Sequence, residues 1–287
     1  MPSRRSRASA AAAAPVRQQA SQAPCLPNSS ARVAICYYGL TRSTKYVYRS
    51  HHERLYDVLR RQRIGLRVYV HTWSVAQQDV WGVPVAQKPN ETEALLLQPD
   101  RLQRDDQQPF LAQMRERWPD LFEPQQAARL GVSKMGSVEV PRAQLMRNHL
   151  CALESQRRCL AMVRADERAG AAAHHHAMLF VRPDALLHGD FPVAQLRRMG
   201  KDEVILPHVH GWGGYNDRFA ALCAVRAGQY ADRINGVDRF RAQAAQGGRL
   251  HAEEYLKHTL DASGLGVRWL AMRFGLVRPN GLVYHAR

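Results

Sequence analysis

The sequence predicts an α/β fold, a mostly parallel sheet flanked by helices, and two observations carry that expectation. A β-prone run at Arg32–Tyr38 (RVAICYY), a helical stretch over 44–62 and a second strand-like run at 66–71 (LRVYVH) succeed one another. Strand, helix, strand in that order is a βαβ unit, and such units build parallel sheets. At 287 residues with 45% hydrophobic content, the chain can also bury the core that such a sheet requires. One α/β domain is expected over residues 32–287.

The elements follow in order. Residues 1–31 are rich in Ala, Ser, Arg, Gln and Pro, contain no acid and show no periodic apolar face. Such a segment cannot bury enough surface to fold and reads as a disordered tail. Its make-up also fits an organelle transit peptide. After the first strand, Gly39 to Ser43 forms a turn ending in a helix N-cap. Val47, His51, Leu55, Val58 and Leu59 then repeat at helical spacing. Residues 74–137 are polar and Gln-rich, punctuated by Pro84, Pro89, Pro99, Pro109, Pro119 and Pro124, and read as an insertion or lid on the sheet edge. Pro141 opens the clearest helix, with Leu145, His149, Ala152, Gln156 and Cys159 along one side, ending near Gly170. His174, His175 and His176 precede a buried strand at 177–181 that delivers Arg182-Pro183-Asp184. A strand at 204–207 feeds a glycine-rich loop, HGWGGYNDRFA at 210–220. Helices near 227–245 and 252–262 and strand pieces at 267–272 and 282–284 complete the chain.

Charge and cysteines narrow the function classes. Lys+Arg 41 against Asp+Glu 25 gives a net charge of +16. Arg4, Arg5, Arg7 and Arg17 place part of it in the tail, but the folded body is basic as well. A basic body favours polyanions such as nucleic acid, acidic lipid or phosphorylated small molecules. An arginine-rich, GC-biased genome would produce the same surface charge. Cys25, Cys36, Cys151, Cys159 and Cys223 show no CxxC pair and no metal-finger spacing, which fits a reducing compartment or one incidental disulfide. No apolar run reaches the ~18 residues needed to span a bilayer. A soluble, cytoplasmic protein is expected, with organelle targeting as the alternative.

The strand ends concentrate the chemistry. In open α/β sheets ligands sit outside the carboxyl ends of the strands. Those ends carry Gly39 with Arg42, then His71-Thr72-Trp73, then Arg182 with Asp184, then Asn216-Asp217. Glycines at 211, 213 and 214 let the backbone adopt positive φ and approach a bulky ligand. Neither GxGxxG after the first strand nor GxxxxGK[ST] occurs, so the dinucleotide and P-loop readings fail. Arginines, an aspartate and an aromatic remain. They suit a nucleoside diphosphate: guanidinium for phosphate, a ring for stacking, and a carboxylate for a hard divalent cation acting as Lewis acid.

In order, VAICYYGLTRS, VYVHTW, MLFVRPDALL, GGYNDRFA, HAEEYLKHTL and VRPNG resemble a group of bacterial, algal and giant-virus glycosyltransferases over residues 32–281. That resemblance implies a GT-A-like (Rossmann-like) fold and sugar transfer from a nucleotide-diphosphate donor to a hydroxyl acceptor such as a glycan. It implies that Gly39, Arg42, Arg182, Asp184, Gly213, Gly214 and Asn216 bind the donor. Asp184 stands where such folds keep a metal-binding DxD, implying Mn²⁺ or Mg²⁺. Arg182 occupies the place of the first acid, so it is expected to pair the diphosphate in place of part of the cation's charge. An inverting transferase needs a carboxylate to take the acceptor's proton. Asp217 is the first candidate for that base. Glu253, kept ionised by a helix N-terminus, is the second.

Each residue also has a plainer reading. Asp184 caps a turn, Asp217 caps a helix or pairs with Arg218, and Arg42 is a surface cation. His71 and Trp73 are read as packing, the triple histidine as a surface loop, and Glu253-Glu254 as a solvated helix face. Two other classes compete. One is a basic nucleic-acid-binding protein using the tail as an electrostatic arm, although it shows none of the common recognition motifs. The other is a catalytically degenerate transferase fold retained as a binding scaffold.

Overall fold

A computed structural model of the chain describes residues 24–27, 30–75, 78–80, 83–85, 90–135, 138–243 and 250–285. The first half forms β1 (Arg32–Tyr38), α1 (Thr44–His51), a π-helical turn (His52–Tyr56), α2 (Asp57–Arg61), β2 (Gly65–Ser74), β3 (Gln78–Val80), β4 (Val83–Val85), β5 (Arg101–Asp106), α3 (Gln107–Arg117), α4 (Pro124–Arg129), β6 (Val132–Met135) and β7 (Val138–Pro141). The second half forms α5 (Arg142–Arg168), β8 (Ala177–Val181), β9 (Ala185–Leu187), α6 (Val193–Arg197), β10 (Glu203–Pro207), β11 (Phe219–Cys223), α7 (Ala227–Ala231), α8 (Val237–Gln243), α9 (Ala252–Ser263), β12 (Gly266–Leu270), β13 (Phe274–Val277) and β14 (Val283–His285).

Seven strands make the central sheet in the order β12-β10-β11-β8-β1-β2-β5. All run parallel except β11, which is antiparallel to β8 and β10. The mostly parallel α/β architecture read from the sequence is therefore present. Alternate residues of β1 serve opposite faces, as the period of a strand requires. Val33, Ile35 and Tyr37 pack with Leu55, Val58 and Leu59, whereas Ala34, Cys36 and Tyr38 pack with Cys159, Leu160 and Val163 of α5. From β1 the chain steps to β2 and β5 on one side, then returns through α5 to β8 on the other. The strand order reverses between β1 and β8, and in open α/β sheets such a reversal marks a ligand crevice at the carboxyl ends of the two strands. A small antiparallel sheet, β14-β13-β9, lies beside β8, because β9 follows it after only Arg182-Pro183-Asp184.

Several expectations need correction. Residues 74–137 are not purely an edge insertion, since β5 lies within them and pairs in parallel with β2 from Tyr69↔Arg101 to Ser74↔Asp106. Its sequence, RLQRDD, is polar because an edge strand is half solvated, so it carries no apolar signal. The strand β11 was hidden in the tail of the glycine-loop motif, although all five of its residues are buried. Of the presumed tail, residues 1–23 and 28–29 lie outside the described residues. Within the described part, however, Leu26 is buried, Pro24 bridges Gly200, and Cys25 donates its N–H to the Met199 carbonyl at 2.9 Å. Cys25 is also disulfide-bonded to Cys223, 198 residues away, with the Cα atoms 5.6 Å apart. This is the one incidental disulfide that the cysteine count allowed. No helix among the described residues is long and apolar enough to cross a membrane.

Candidate active site

The crevice between β1 and β8 is built first from backbone. Tyr37 pairs with Val181, so the residues leaving the two strands, Tyr38-Gly39 and Arg182-Pro183-Asp184, stand side by side. Gly39 turns the chain at φ 96°, and a side chain there would point into open space. Its N–H donates to Ser155 Oγ at 2.8 Å, and that hydroxyl in turn donates to the His71 carbonyl at 3.1 Å. His71 is buried with its ring bonded to Ser155 and Asp105, while Trp73 donates to the Cys151 carbonyl and stacks on Phe110. Both are packing groups that hold the β1 turn rather than line the crevice.

Arg182 and Asp184 form a fork. Nε donates to Oδ1 at 2.9 Å and Nη2 to Oδ2 at 2.5 Å, so both carboxylate oxygens are engaged. Burial alone would raise the Asp184 pKa, but Arg182, with Arg278 and Arg42 beyond it, brings it below the usual aspartate range. Arg278 arrives from the small sheet, because Val277 donates its N–H to the Asp184 carbonyl at 2.9 Å. The setting does not fit a divalent cation as bound by a DxD motif. Asp184 presents no oxygen outside the fork, its neighbours are guanidiniums, and no cluster of three metal-ligating side chains occurs among the described residues. The expectation of metal at Asp184 has no support in these contacts.

The glycine-rich loop brings in the second acid. Its close approach is to protein, not to ligand: a Cβ on Gly214 would overlap the backbone of Glu253, and the next residue, Tyr215, donates its N–H to the Glu253 carbonyl at 3.0 Å. Gly213 uses φ 89° to reach that contact. Asn216 is fully buried and braces the loop from within, its amide donating to the Val209 carbonyl at 2.6 Å and its oxygen accepting from the Arg218 N–H at 2.9 Å. Gly213, Gly214 and Asn216 therefore shape the loop. The braced loop holds Asp217 with its carbonyl accepting from the Tyr38 and Tyr230 hydroxyls.

Glu253 feels the charge of Asp217, and Arg218 acts on both. Arg218 Nη2 lies 3.4 Å from Glu253 Oε1, His251 Nδ1 is 3.5 Å from Glu253 Oε2, and His149 Nδ1 is 3.9 Å from Asp217 Oδ2. The two acids are driven apart. Burial would raise Asp217, yet the charges of Arg218, Arg182 and Arg233 hold it below its ordinary value. Glu253 is pushed up to about 7, first by burial and then by the charge of Asp217, with Arg218 opposing. The expectation that the start of α9 keeps Glu253 ionised is thus reversed, because a helix terminus is a weaker influence than desolvation beside a like charge. His149 is itself pulled down to about 4 by burial and stays neutral, and its Nε2 has no hydrogen-bond partner among the described residues.

The crevice therefore gathers Gly39, Arg42, Arg182, Asp184, Asp217 and Glu253, drawn from four separate stretches of chain. Sequence reasoning missed His149, Arg218 and Arg278. Arg278 had a signal, since Val277-Arg278-Pro279-Asn280 repeats the Val-Arg-Pro of the β8 end. Buried His149 was indistinguishable from core periodicity. Beyond the acids the loop carries Trp212, 66% exposed, with its ring stacked on His210 at 6.1 Å. The triple histidine lies at the opposite, amino-terminal end of β8, where His175 is buried on Glu167 and His176 accepts from the Arg32 N–H. It is no metal site, although it is less exposed than a surface loop.

No protein-family model and no curated protein matches the chain. Among solved structures it is similar to the glycosyltransferase GlyE of Streptococcus pneumoniae TIGR4. The apo form aligns over 84% of this chain at 9% identity and TM-score 0.37, and a second structure over 85% at 10% identity and TM-score 0.35. The chain spans 45% and 46% of the chain length in those two structures. Superposition this loose carries no argument about activity.

Proposed function

We propose that the chain is a glycosyltransferase, moving a sugar from a nucleotide-diphosphate donor to a hydroxyl acceptor. One observation supports this reading above the others. Two carboxylates with separated proton affinities, Asp217 and Glu253, sit beside a cluster of arginines at the carboxyl ends of parallel strands where the strand order reverses. Pairs of acids pushed apart in this way divide acid–base work between them. The donor's diphosphate lies at the β1 and β8 ends, against Gly39, Arg42 and Arg182. The acceptor approaches over the exposed Trp212–His210 stack. Its oxygen bonds to the anomeric carbon, the bond from that carbon to the diphosphate breaks, and the electron pair departs with the nucleoside diphosphate.

The acceptor's proton goes to Glu253, whose affinity near neutrality suits a general base working at that pH. Asp217 remains an anion throughout. It sustains the proton affinity of Glu253 and faces the positive charge that develops on the sugar ring. Sequence order favoured Asp217 as the base, whereas the electrostatics favour Glu253, with Asp217 as its partner.

The test is release of nucleoside diphosphate from a panel of nucleotide sugars offered with simple glycan acceptors. Release from one donor, lowered at least about 100-fold by Asp217→Asn in a protein that still melts cooperatively, supports the reading. Absence of release and of any donor-induced melting shift, together with tight, salt-sensitive binding of nucleic acid, would refute it in favour of the basic binding protein.

A further inference from the structure

Four guanidiniums converge where the donor's diphosphate is placed. Arg182 closes on Asp184 through two hydrogen bonds, 2.9 and 2.5 Å. Arg278 follows the residue whose N–H bonds the Asp184 carbonyl, and it is turned at once by Gly281, whose N–H donates to the Arg278 carbonyl at 2.8 Å. Arg42 leaves the β1 turn three residues after Gly39, and both Asp184 and Arg278 feel its charge. Arg218 lies on the far side, 3.4 Å from Glu253. Opposing these four cations are the ionised Asp184 and Asp217, and Glu253 when it has lost its proton.

Like charges crowd here: the proton affinity of Arg278 falls to about 10, through burial first, then through repulsion from Arg182, with Asp184 opposing and Arg42 and Arg218 adding to the repulsion. It remains charged at neutral pH, held among like charges that a bound anion would relieve. A divalent cation would add to that crowding, and at Asp184 it would compete with Arg182 for both oxygens. A diphosphate does the reverse. Its oxygens match the planar forks of arginine, which bind phosphate in bidentate fashion.

Resting on the sugar-transfer reading above, we infer that this site binds the donor's diphosphate without a divalent cation, with Arg42, Arg182, Arg218 and Arg278 supplying the charge that a metal ion otherwise provides. When the bond from the anomeric carbon to the phosphate oxygen breaks, the electron pair stays on the diphosphate, and the fixed guanidiniums stabilise that extra charge. No oxidant, reductant or ion enters the balance.

The experiment is calorimetric titration of UDP, GDP and inorganic pyrophosphate into the full-length protein, in excess EDTA and again with Mn²⁺, with Mn²⁺ uptake followed separately by electron paramagnetic resonance. The expected result is binding of at least one diphosphate with the same affinity in both buffers and no specific Mn²⁺ uptake. Arg278→Gln and Arg42→Gln should each weaken that binding roughly 10- to 100-fold, as loss of a hydrogen bond to a charged group does. Arg42→Gln changes a turn outside the sheet and guards against misfolding of the other variant. Binding that vanishes in EDTA and returns with Mn²⁺ would overturn the inference while leaving sugar transfer intact. Pyrophosphate bound in EDTA by a protein that turns over no nucleotide sugar would uphold the arginine cradle and sink the transferase. No diphosphate bound in either buffer would end both.

Discussion

Replacing Glu253 by Gln should stabilise the protein above neutral pH while abolishing its turnover. In the folded chain Glu253 keeps its proton up to about pH 7, because its side chain is 9% exposed and Asp217 lies beside it. Unfolded, the same group releases its proton near pH 4.3. Between those values the folded state binds more protons than the unfolded one, so stability falls as pH rises. At about 1.4 kcal/mol per pH unit of displacement, the full cost by pH 8 is about 3 to 4 kcal/mol, of which about 1 is already present at pH 5. Glutamine does not ionise, yet it can still accept from Arg218. The variant should therefore gain about 2 to 3 kcal/mol over the parent between pH 5 and pH 8. Equilibrium unfolding in urea at a series of pH values measures this. A companion variant, Asp217→Asn, removes the neighbouring charge and should shrink the effect. Parallel stability curves for parent and Glu253→Gln from pH 5 to 8 would refute the reasoning, as would a parent whose activity does not rise with pH through about 7.

Three further outcomes are expected. Gly214→Ala drives a methyl into the Glu253 backbone and should cost about 3 kcal/mol while exposing residues 210–218 to protease; an unchanged cleavage pattern would show that the loop can yield. Reduction of Cys25–Cys223 opens a closed loop of 198 residues' separation and should cost up to roughly 5 kcal/mol in the chain-entropy account, visible as a melting shift with reductant that Cys25→Ser no longer shows. Trp212→Ala should raise the acceptor KM by up to about tenfold with the donor KM unchanged; equal effects on both would place the ring on the donor side instead.

Much of the sheet was legible because its central strands, β1 and β8, are almost wholly apolar. Arg32–Tyr38 and Ala177–Val181 match the strand bounds read from periodicity, and Pro141 does precede α5. Legibility failed where solvent or context decides conformation. The polar edge strand β5 forms because β2 offers it a row of backbone partners, a condition invisible in RLQRDD itself. Cys25 looked like part of a tail because both its partners, Met199 and Cys223, lie far along the chain.

The same division runs through the site. Which residue types are present, and that Gly39 and Asp184 follow strands, could be read from the chain, since strand ends and glycine turns are local events. That Arg182 occupies both oxygens of Asp184, that Gly214 presses on Glu253, and that Asp217 raises the proton affinity of Glu253 are consequences of folding. Proton affinity depends on burial and on charges only a few ångströms away, and those neighbours come from segments far apart in sequence. Local spacing sets the secondary structure and the inventory of groups; only the packed sheet determines which charges meet, and so which carboxylate can carry a proton.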